Sequence, residues 1–184
     1  MTHTNLWAPW RMAYIDALVG EAGHDAHDAP GEAGCFLCEA AQAMSRDDAV
    51  GGDAAGQRLV LMHDARGLVM LNRYPYTNGH LLVAPREHVA CLSDLSPQGR
   101  ADLMELTELA DRLLRAAMNP QGMNIGMNLG RCAGAGLPGH LHVHLVPRWN
   151  GDTNFMQTVG GVRVIPQALE ESFGMLREVL GRMG

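Results

Sequence analysis

Apolar positions occur as several short runs along the chain and recur at helical spacing over longer segments. Residues 59–62 and Gly67–Leu71 are short apolar runs separated by Asp64-Ala65-Arg66, and they predict two strands joined by a turn. Residues 79–85 predict a third strand, stopped by Pro85. It follows Tyr74-Pro75-Tyr76-Thr77-Asn78-Gly79, where Asn-Gly suits the positive φ of a tight turn. Residues 122–128 and 139–147 return to strand character. Between these groups, residues 97–118 read as a helix. Ser96 is placed to cap it, Pro97 sits at its first position, and Leu103, Leu106, Leu109 or Ala110, Leu113 and Ala117 recur every three to four residues. Pro166 is expected to open a last helix running to about Leu180. Residues 20–34 and 45–57 are rich in Gly, Ala and Asp, and read as flexible loops, so the ordered body is expected to begin at Leu59. Strands, helix, strands, helix, with hairpin connections, predict an α+β domain. Its antiparallel sheet would have about five strands, a long central helix and a C-terminal helix.

Composition narrows the chemistry. The chain has 184 residues, long enough for one domain, 1–184, with a real core. All 14 basic residues are Arg. With no lysine there can be no Schiff base and no P-loop grip on phosphate, so phosphate contacts must come from Arg, His, backbone N–H groups or a metal. A net charge of −6 argues against a broad nucleic-acid-binding face. No uncharged apolar run approaches a membrane span, and no signal peptide is apparent at the N-terminus, so neither nucleic acid nor membrane is expected as a partner. Cys35 and Cys38 are too close for a disulfide framework. In a reducing cytoplasm, the location expected here, that spacing points to metal or redox chemistry.

The central signal is His140-Leu141-His142-Val143-His144-Leu145-Val146-Pro147. In a strand, residues two apart share a face, so three imidazoles would point one way, roughly 7 Å apart, and three aliphatics the other. A plain polar strand face would normally carry Thr, Ser, Lys or Glu. Two chemical readings of the histidines compete. One is a metal site, since imidazole is a common zinc ligand. The other is nucleophilic attack on phosphorus by a neutral imidazole, with the remaining histidines orienting it and holding phosphoryl oxygens. The Gly-rich stretch between Gly122 and Gly139 favours the second for His142, because it lets backbone N–H groups approach an anion. Gly134-x-Gly136-x-x-Gly139 formally matches a dinucleotide fingerprint, but it holds Pro138 and runs into a strand instead of opening a helix.

The triad His140-Leu-His142-Val-His144-Leu-Val resembles the motif of the histidine-triad (HIT) nucleotide hydrolases and transferases. Met70-Leu71-Asn72-Arg73-Tyr74-Pro75 and Gly79-His80-Leu81-Leu82-Val83-Ala84-Pro85 are similar to that family's nucleoside-binding hairpin. Asn128 and the following glycines resemble its phosphate loop. Trp7-Ala-Pro-Trp10-Arg11-Met12 and Pro147-Arg148-Trp149-Asn150-Gly151-Asp152-Thr153-Asn154-Phe155 resemble the branch that cleaves diadenosine tetraphosphate, phosphorylases included. The resemblance implies that His142 attacks the α-phosphorus to form a nucleotidyl-histidine, that His144 contacts the phosphate and that His140 sets the geometry. Asn72 would hold the ribose, Met70 and Leu82 would face the base, and His80 would line the pocket or bond within the sheet. Asn128, Gly136 and nearby backbone N–H groups would stabilise phosphate charge, and water or inorganic phosphate would release the nucleotide. Many members carry Gln or Ser shortly before the triad; this chain reads Gly136-Leu137-Pro138-Gly139, which leaves no side chain for that role. A homodimer and no organic cofactor are implied as well. Alternatives are a nucleoside phosphoramidate hydrolase of the same family, a non-catalytic nucleotide-sensing protein, and a hydrolase with a catalytic metal.

Some relatives bind zinc through two cysteines, a His at a position like His88, and the first triad His. By that likeness Cys35, Cys38, His88 and His140 would form a closed structural zinc site. The roles of Arg73, Arg131 and Arg148, the arginines nearest the triad and hairpin in sequence, stay open. Trp7, Trp10 and Tyr14 read as packing residues, His3, His24 and His27 as parts of flexible segments, and Asp152 as a loop charge.

Overall fold

The computed structural model describes residues 34–50 (45–50 as backbone), 56, 58–152, 159 and 164–183. The expected loop before Gly34, Trp7, Trp10, Tyr14, His3, His24, His27 and Thr153-Asn154-Phe155 lie outside the described residues. A five-stranded antiparallel sheet is built from β1 (Val60–His63), β2 (Gly67–Leu71), β3 (Leu81–Pro85), β4 (Gly122–Met127) and β5 (Val143–Arg148). The helices are α1 (Phe36–Val50), α2 (Pro97–Met118) and α3 (Leu169–Met183). The expected α+β architecture is therefore the observed one.

Four boundaries differ from expectation. Order begins before Leu59, because residues 45–50 continue α1 instead of forming a loop. Leu37, Ala40, Ala41 and Met44 recur at helical spacing within a good helix-forming sequence, and Leu37 and Ala40 are buried. The third strand begins at Leu81. Gly79 has φ +71, a left-handed conformation that favours glycine, and it turns the chain beside the Met118 side chain. β5 begins at Val143, so His140 and His142 precede the ladder; there the chain bonds instead through Leu141 N–H to Val89 O, at 2.6 Å. The last helix starts at Leu169, three residues beyond Pro166.

The central helix has the predicted limits. Ser96 Oγ accepts the Gly99 N–H at 2.9 Å, and Asn119 at φ +47 ends the helix with its N–H on Arg115 O. Its apolar stripe is Leu103, Leu106, Ala110, Leu113 and Leu114, all buried, so Ala110 rather than Leu109 takes the inward position. That stripe packs on Val69, Leu71, Leu81, Val83, Val143 and Leu145, with Phe173 and Leu176 of α3 joining the same core. Val60, Leu68, Met70, Leu82 and Ala84 belong to a second cluster with Cys35, Leu37, Cys38, Ala40 and Leu137. Both faces of β2 and β3 are thus covered, which is why those strands read as continuous apolar runs.

Strand order is β1-β2-β3-β5-β4. β5 is inserted between β3 and β4, so His144 lies opposite Leu82 on one side and Gly126 on the other. This crossover brings the β2–β3 hairpin and the Gly-rich loop, distant in sequence, to either flank of the triad.

Candidate active site

His140, His142 and His144 share one side of the chain, while Leu141, Val143 and Leu145 enter the core. His140 and His142 are buried, at 3% and 6% exposure, and His144 is half-buried. The ring centroids of His142 and His144 lie 4.9 Å apart at 63°.

Hydrogen bonds set a tautomer for each ring. His142 Nδ1 lies 2.8 Å from the His140 carbonyl, which can only accept. Nδ1 therefore carries the proton, and the neutral ring presents its lone pair at Nε2. His80 Nδ1 receives the Tyr76 backbone N–H at 3.1 Å and lies 3.3 Å from the Asn72 amide nitrogen. Its proton must sit on Nε2, which donates to His144 Nδ1 at 2.9 Å. The proton of His144 is then on Nε2, a buried atom with no hydrogen-bond partner among the described residues. One imidazole thereby presents a lone pair at Nε2 and its neighbour an N–H at Nε2.

Burial pushes all three triad pKa values down. For His140 it does so most strongly, to about 4, with smaller contributions from His88 and His142 against the opposing bond to Pro85. Burial lowers that of His142 despite the bond to the His140 carbonyl. Burial and then the charge of His142 lower that of His144 to about 4. The cause is the cost of placing an imidazolium in a low-dielectric surround, so neutral rings dominate near pH 7.

The remaining predicted residues divide into groups. Asn72 is half-buried beside His80, and its Oδ1 accepts the Tyr74 N–H at 2.9 Å. His80 is fully buried behind His144 and does not form pocket wall. Met70 and Leu82 are directly paired across β2 and β3 and are packed into the second core. Asn128 donates to Gly134 O at 3.4 Å, bracing the loop that carries the exposed Gly136. Cys91 is half-buried and Cys132 exposed. Of the three arginines, Arg73 and Arg131 are exposed, while Arg148 lies on the strand of His144.

Cys35, Cys38, His88 and His140 converge. Their ligand atoms all lie within 4.8 Å of one another, so this cluster could bind a metal. Each Cys Sγ lies 3.3–3.4 Å from His140 Nδ1, and Cys38 Sγ is 3.3 Å from His88 Nδ1. Bond lengths of about 2.3 Å to sulfur and 2.0–2.1 Å to nitrogen give a tetrahedral S···N edge of about 3.5 Å. His140 Nε2–H donates to the Pro85 carbonyl at 3.1 Å, leaving Nδ1 as a free lone pair toward the sulfurs. Cys38 N–H points at Cys35 Sγ, at 3.5 Å.

A cleft of about 810 Å³ opens over β4 and β5, with His144, Asn128 and Gly126 on its wall. Asn78 and Asn124, which no motif singles out, also line this wall, as does Asp152. Asp152 binds Arg148 through two bonds of 2.5 and 2.9 Å, and Arg148 also donates to Asn124 Oδ1 at 2.8 Å. The four-residue spacing of Arg148 and Asp152 was the available signal, but an extended strand end followed by a turn gives no helical rule for reading it.

A sheet flanked by helices, with aligned imidazoles at its surface and a glycine loop beside them, defines the class of histidine-triad nucleotide hydrolases and transferases. Residues 55–151 match the HIT domain family, and the chain belongs to it. It is 37% identical over 171 residues to AP-4-A phosphorylase from Mycobacterium tuberculosis, covering 93% of this chain and 81% of that protein. It is also similar to the crystal structure of a Zn-bound histidine triad family protein from Mycobacterium smegmatis. The TM-score is 0.56 at 32% identity, covering 68% of this chain and 85% of that one. A hypothetical histidine triad nucleotide-binding protein from Sulfolobus tokodaii gives a TM-score of 0.57 at 26% identity, covering 68% and 85%.

Proposed function

We propose that this enzyme cleaves dinucleoside polyphosphates of the diadenosine tetraphosphate type through a covalent nucleotidyl-His142, with inorganic phosphate as acceptor. The observation that carries the mechanism is the paired tautomers: an Nε2 lone pair on His142 beside a His144 Nε2–H with no partner among the described residues. His142 Nε2 attacks the α-phosphorus, the bond to the bridging oxygen breaks, and the polyphosphate half leaves. His144 Nε2–H donates to a phosphoryl oxygen as charge builds, aided by Asn128 and backbone N–H groups of the loop around Gly136. In the second step a phosphate oxygen attacks the same phosphorus, the P–N bond breaks, and His142 is regenerated. Asn72 holds the ribose, with Met70 and Leu82 as the apolar floor beneath the base. The likeness to AP-4-A phosphorylase over nearly the whole chain supports both the substrate class and the acceptor.

The Cys35, Cys38, His88 and His140 cluster is proposed to hold zinc. Two thiolates, two neutral imidazoles and near-tetrahedral spacing suit that ion. Bound there, zinc supplies structure: it fastens α1 to the end of β3 and fixes the plane of His140, whose carbonyl in turn holds His142. The enzyme is proposed to act in the cytoplasm, where such thiols stay reduced, and as a homodimer. No described helix is long and apolar enough to cross a membrane.

Incubation with diadenosine tetraphosphate, with and without phosphate, tests the reading. ADP and ATP formed only with phosphate are the expected products. AMP and ATP formed without phosphate would replace phosphate by water as acceptor. His142→Ala is expected to abolish turnover while nucleotide still binds, and near-normal turnover in that variant would reject the covalent step.

A further inference from the structure

The ring of His144 has three ring neighbours. His80 Nε2–H donates to its Nδ1 at 2.9 Å, and the His142 ring meets it in a T-shaped contact at 4.9 Å. The third is Tyr76, whose ring stacks on it at a centroid distance of 6.0 Å and 16° from parallel. Tyr76 also flanks the other member of the His80–His144 pair, with its ring 4.6 Å from that of His80 and tilted by 42°. Exposure falls in order across the three rings. Tyr76 is 42% exposed and forms part of the cleft wall, His144 is half-buried beside it, and His80 is fully buried. The phenol ring is thus the outermost layer over the bond between the two imidazoles.

The turn between β2 and β3 delivers the ring to that place. Tyr76 N–H donates to His80 Nδ1 at 3.1 Å, and His80 N–H donates back to the Thr77 carbonyl at 3.3 Å. Thr77 Oγ1 donates to the Pro147 carbonyl at 2.9 Å, fastening the turn to the strand of His144. Tyr74, two residues earlier, is 80% exposed, so an aromatic in this turn is not drawn inward by hydrophobicity alone.

Residue 76 therefore acts twice. Its backbone N–H sets which nitrogen of His80 carries the proton, and every side chain except proline leaves that N–H in place. Its ring adds two effects that depend on the side chain. A flat face against an imidazole restricts χ2, which is a broad torsion in histidine. An apolar surface over a hydrogen bond lowers the local dielectric and strengthens the bond. Both effects bear on where the His144 Nε2–H points.

We infer that Tyr76 is a positioning residue for the reaction: its ring holds the plane of His144 and shields the His80–His144 bond from water, which keeps the His144 Nε2–H aimed at the phosphoryl group. This rests on the reading that His144 donates to a phosphoryl oxygen.

Tyr76→Ala removes the ring and Tyr76→Phe keeps it. Thermal unfolding confirms that both are folded. Turnover of diadenosine tetraphosphate with phosphate gives kcat, and Kd for the same ligand is measured in a His142→Ala background. Proton–nitrogen spectra of the labelled imidazoles report the His144 tautomer and the solvent exchange of the His80 Nε2–H. Tyr76→Ala is expected to lose about tenfold in kcat, within the range for losing the His80 bond itself, with Kd within twofold. Tyr76→Phe should stay within threefold of the parent. The parent and Tyr76→Phe should show a protected His80 proton and one His144 tautomer; Tyr76→Ala should show fast exchange and a tautomer mixture. A Kd that weakens as much as kcat falls makes Tyr76 a substrate contact and overturns the positioning role. So does a Tyr76→Phe loss equal to that of Tyr76→Ala, or unchanged spectra in Tyr76→Ala. If the parent turns over no dinucleoside polyphosphate, the nucleotide reading falls and the positioning role falls with it, even where the spectra show the ring holding His144.

Discussion

The bond between His80 and His144 can be tested because it decides which nitrogen of His144 carries the proton. Replacing His80 by Leu removes the Nε2–H that donates to His144 Nδ1 at 2.9 Å, in a fully buried position. Truncating one partner of a buried hydrogen bond costs about 1–3 kcal/mol. If that cost falls on the transition state, kcat/KM drops by roughly 5- to 150-fold, since 1.4 kcal/mol is a factor of ten. KM should move little, because His80 touches no substrate. His80→Gln keeps an amide donor near the Nε2 position and should recover much of the loss. Nitrogen NMR of the labelled imidazoles gives a readout that packing alone would not move. The parent should show His144 protonated at Nε2, and His80→Leu should show a mixture of tautomers. A parent His144 protonated at Nδ1, or a His80→Leu variant within twofold of the parent in kcat/KM, would refute the relay.

Other consequences follow from the same geometry. Metal analysis should find about one zinc per chain, falling well below that in Cys38→Ser. Chelation should lower the melting temperature by roughly 10 °C, on the scale of 2–4 °C per kcal/mol for a chain of this size; full stability without metal would remove the zinc assignment. Because burial lowers the pKa of His142, its neutral, nucleophilic form prevails above that lowered value. The acid limb of kcat/KM should therefore lie below pH 6.5, the ordinary imidazole midpoint, and a limb above it would contradict the burial argument. Leu106→Ala, under the sheet at 0% exposure, should cost about 2–5 kcal/mol in denaturant unfolding, while kcat at temperatures where the variant stays folded changes little. A loss below 1 kcal/mol would mean that α2 can collapse onto the gap.

Local patterns in the chain were enough for the alternating triad, the strand pairs and the central helix, because period, capping and turn chemistry act over a few residues. Ser96, Pro97 and the leucine stripe stated both the limits and the inward face of α2. The first helix is not legible locally, because only Leu37 and Ala40 mark its inward face before a Gly- and Asp-rich stretch. The pairing of Cys35 and Cys38 with His88 and His140 was visible only by likeness to a family; nothing local brings residues 102 apart within 3.4 Å. The tautomers were illegible, since they depend on carbonyls and N–H groups that other segments deliver: Tyr76 to His80, and His80 to His144. The cleft was illegible for the same reason. It exists because β5 inserts between β3 and β4, and strand order is settled by long-range packing rather than by any residue's own preference. Chemistry at the site was therefore written in residue types and spacing, whereas the proton positions and the cleft arise from which strands lie side by side.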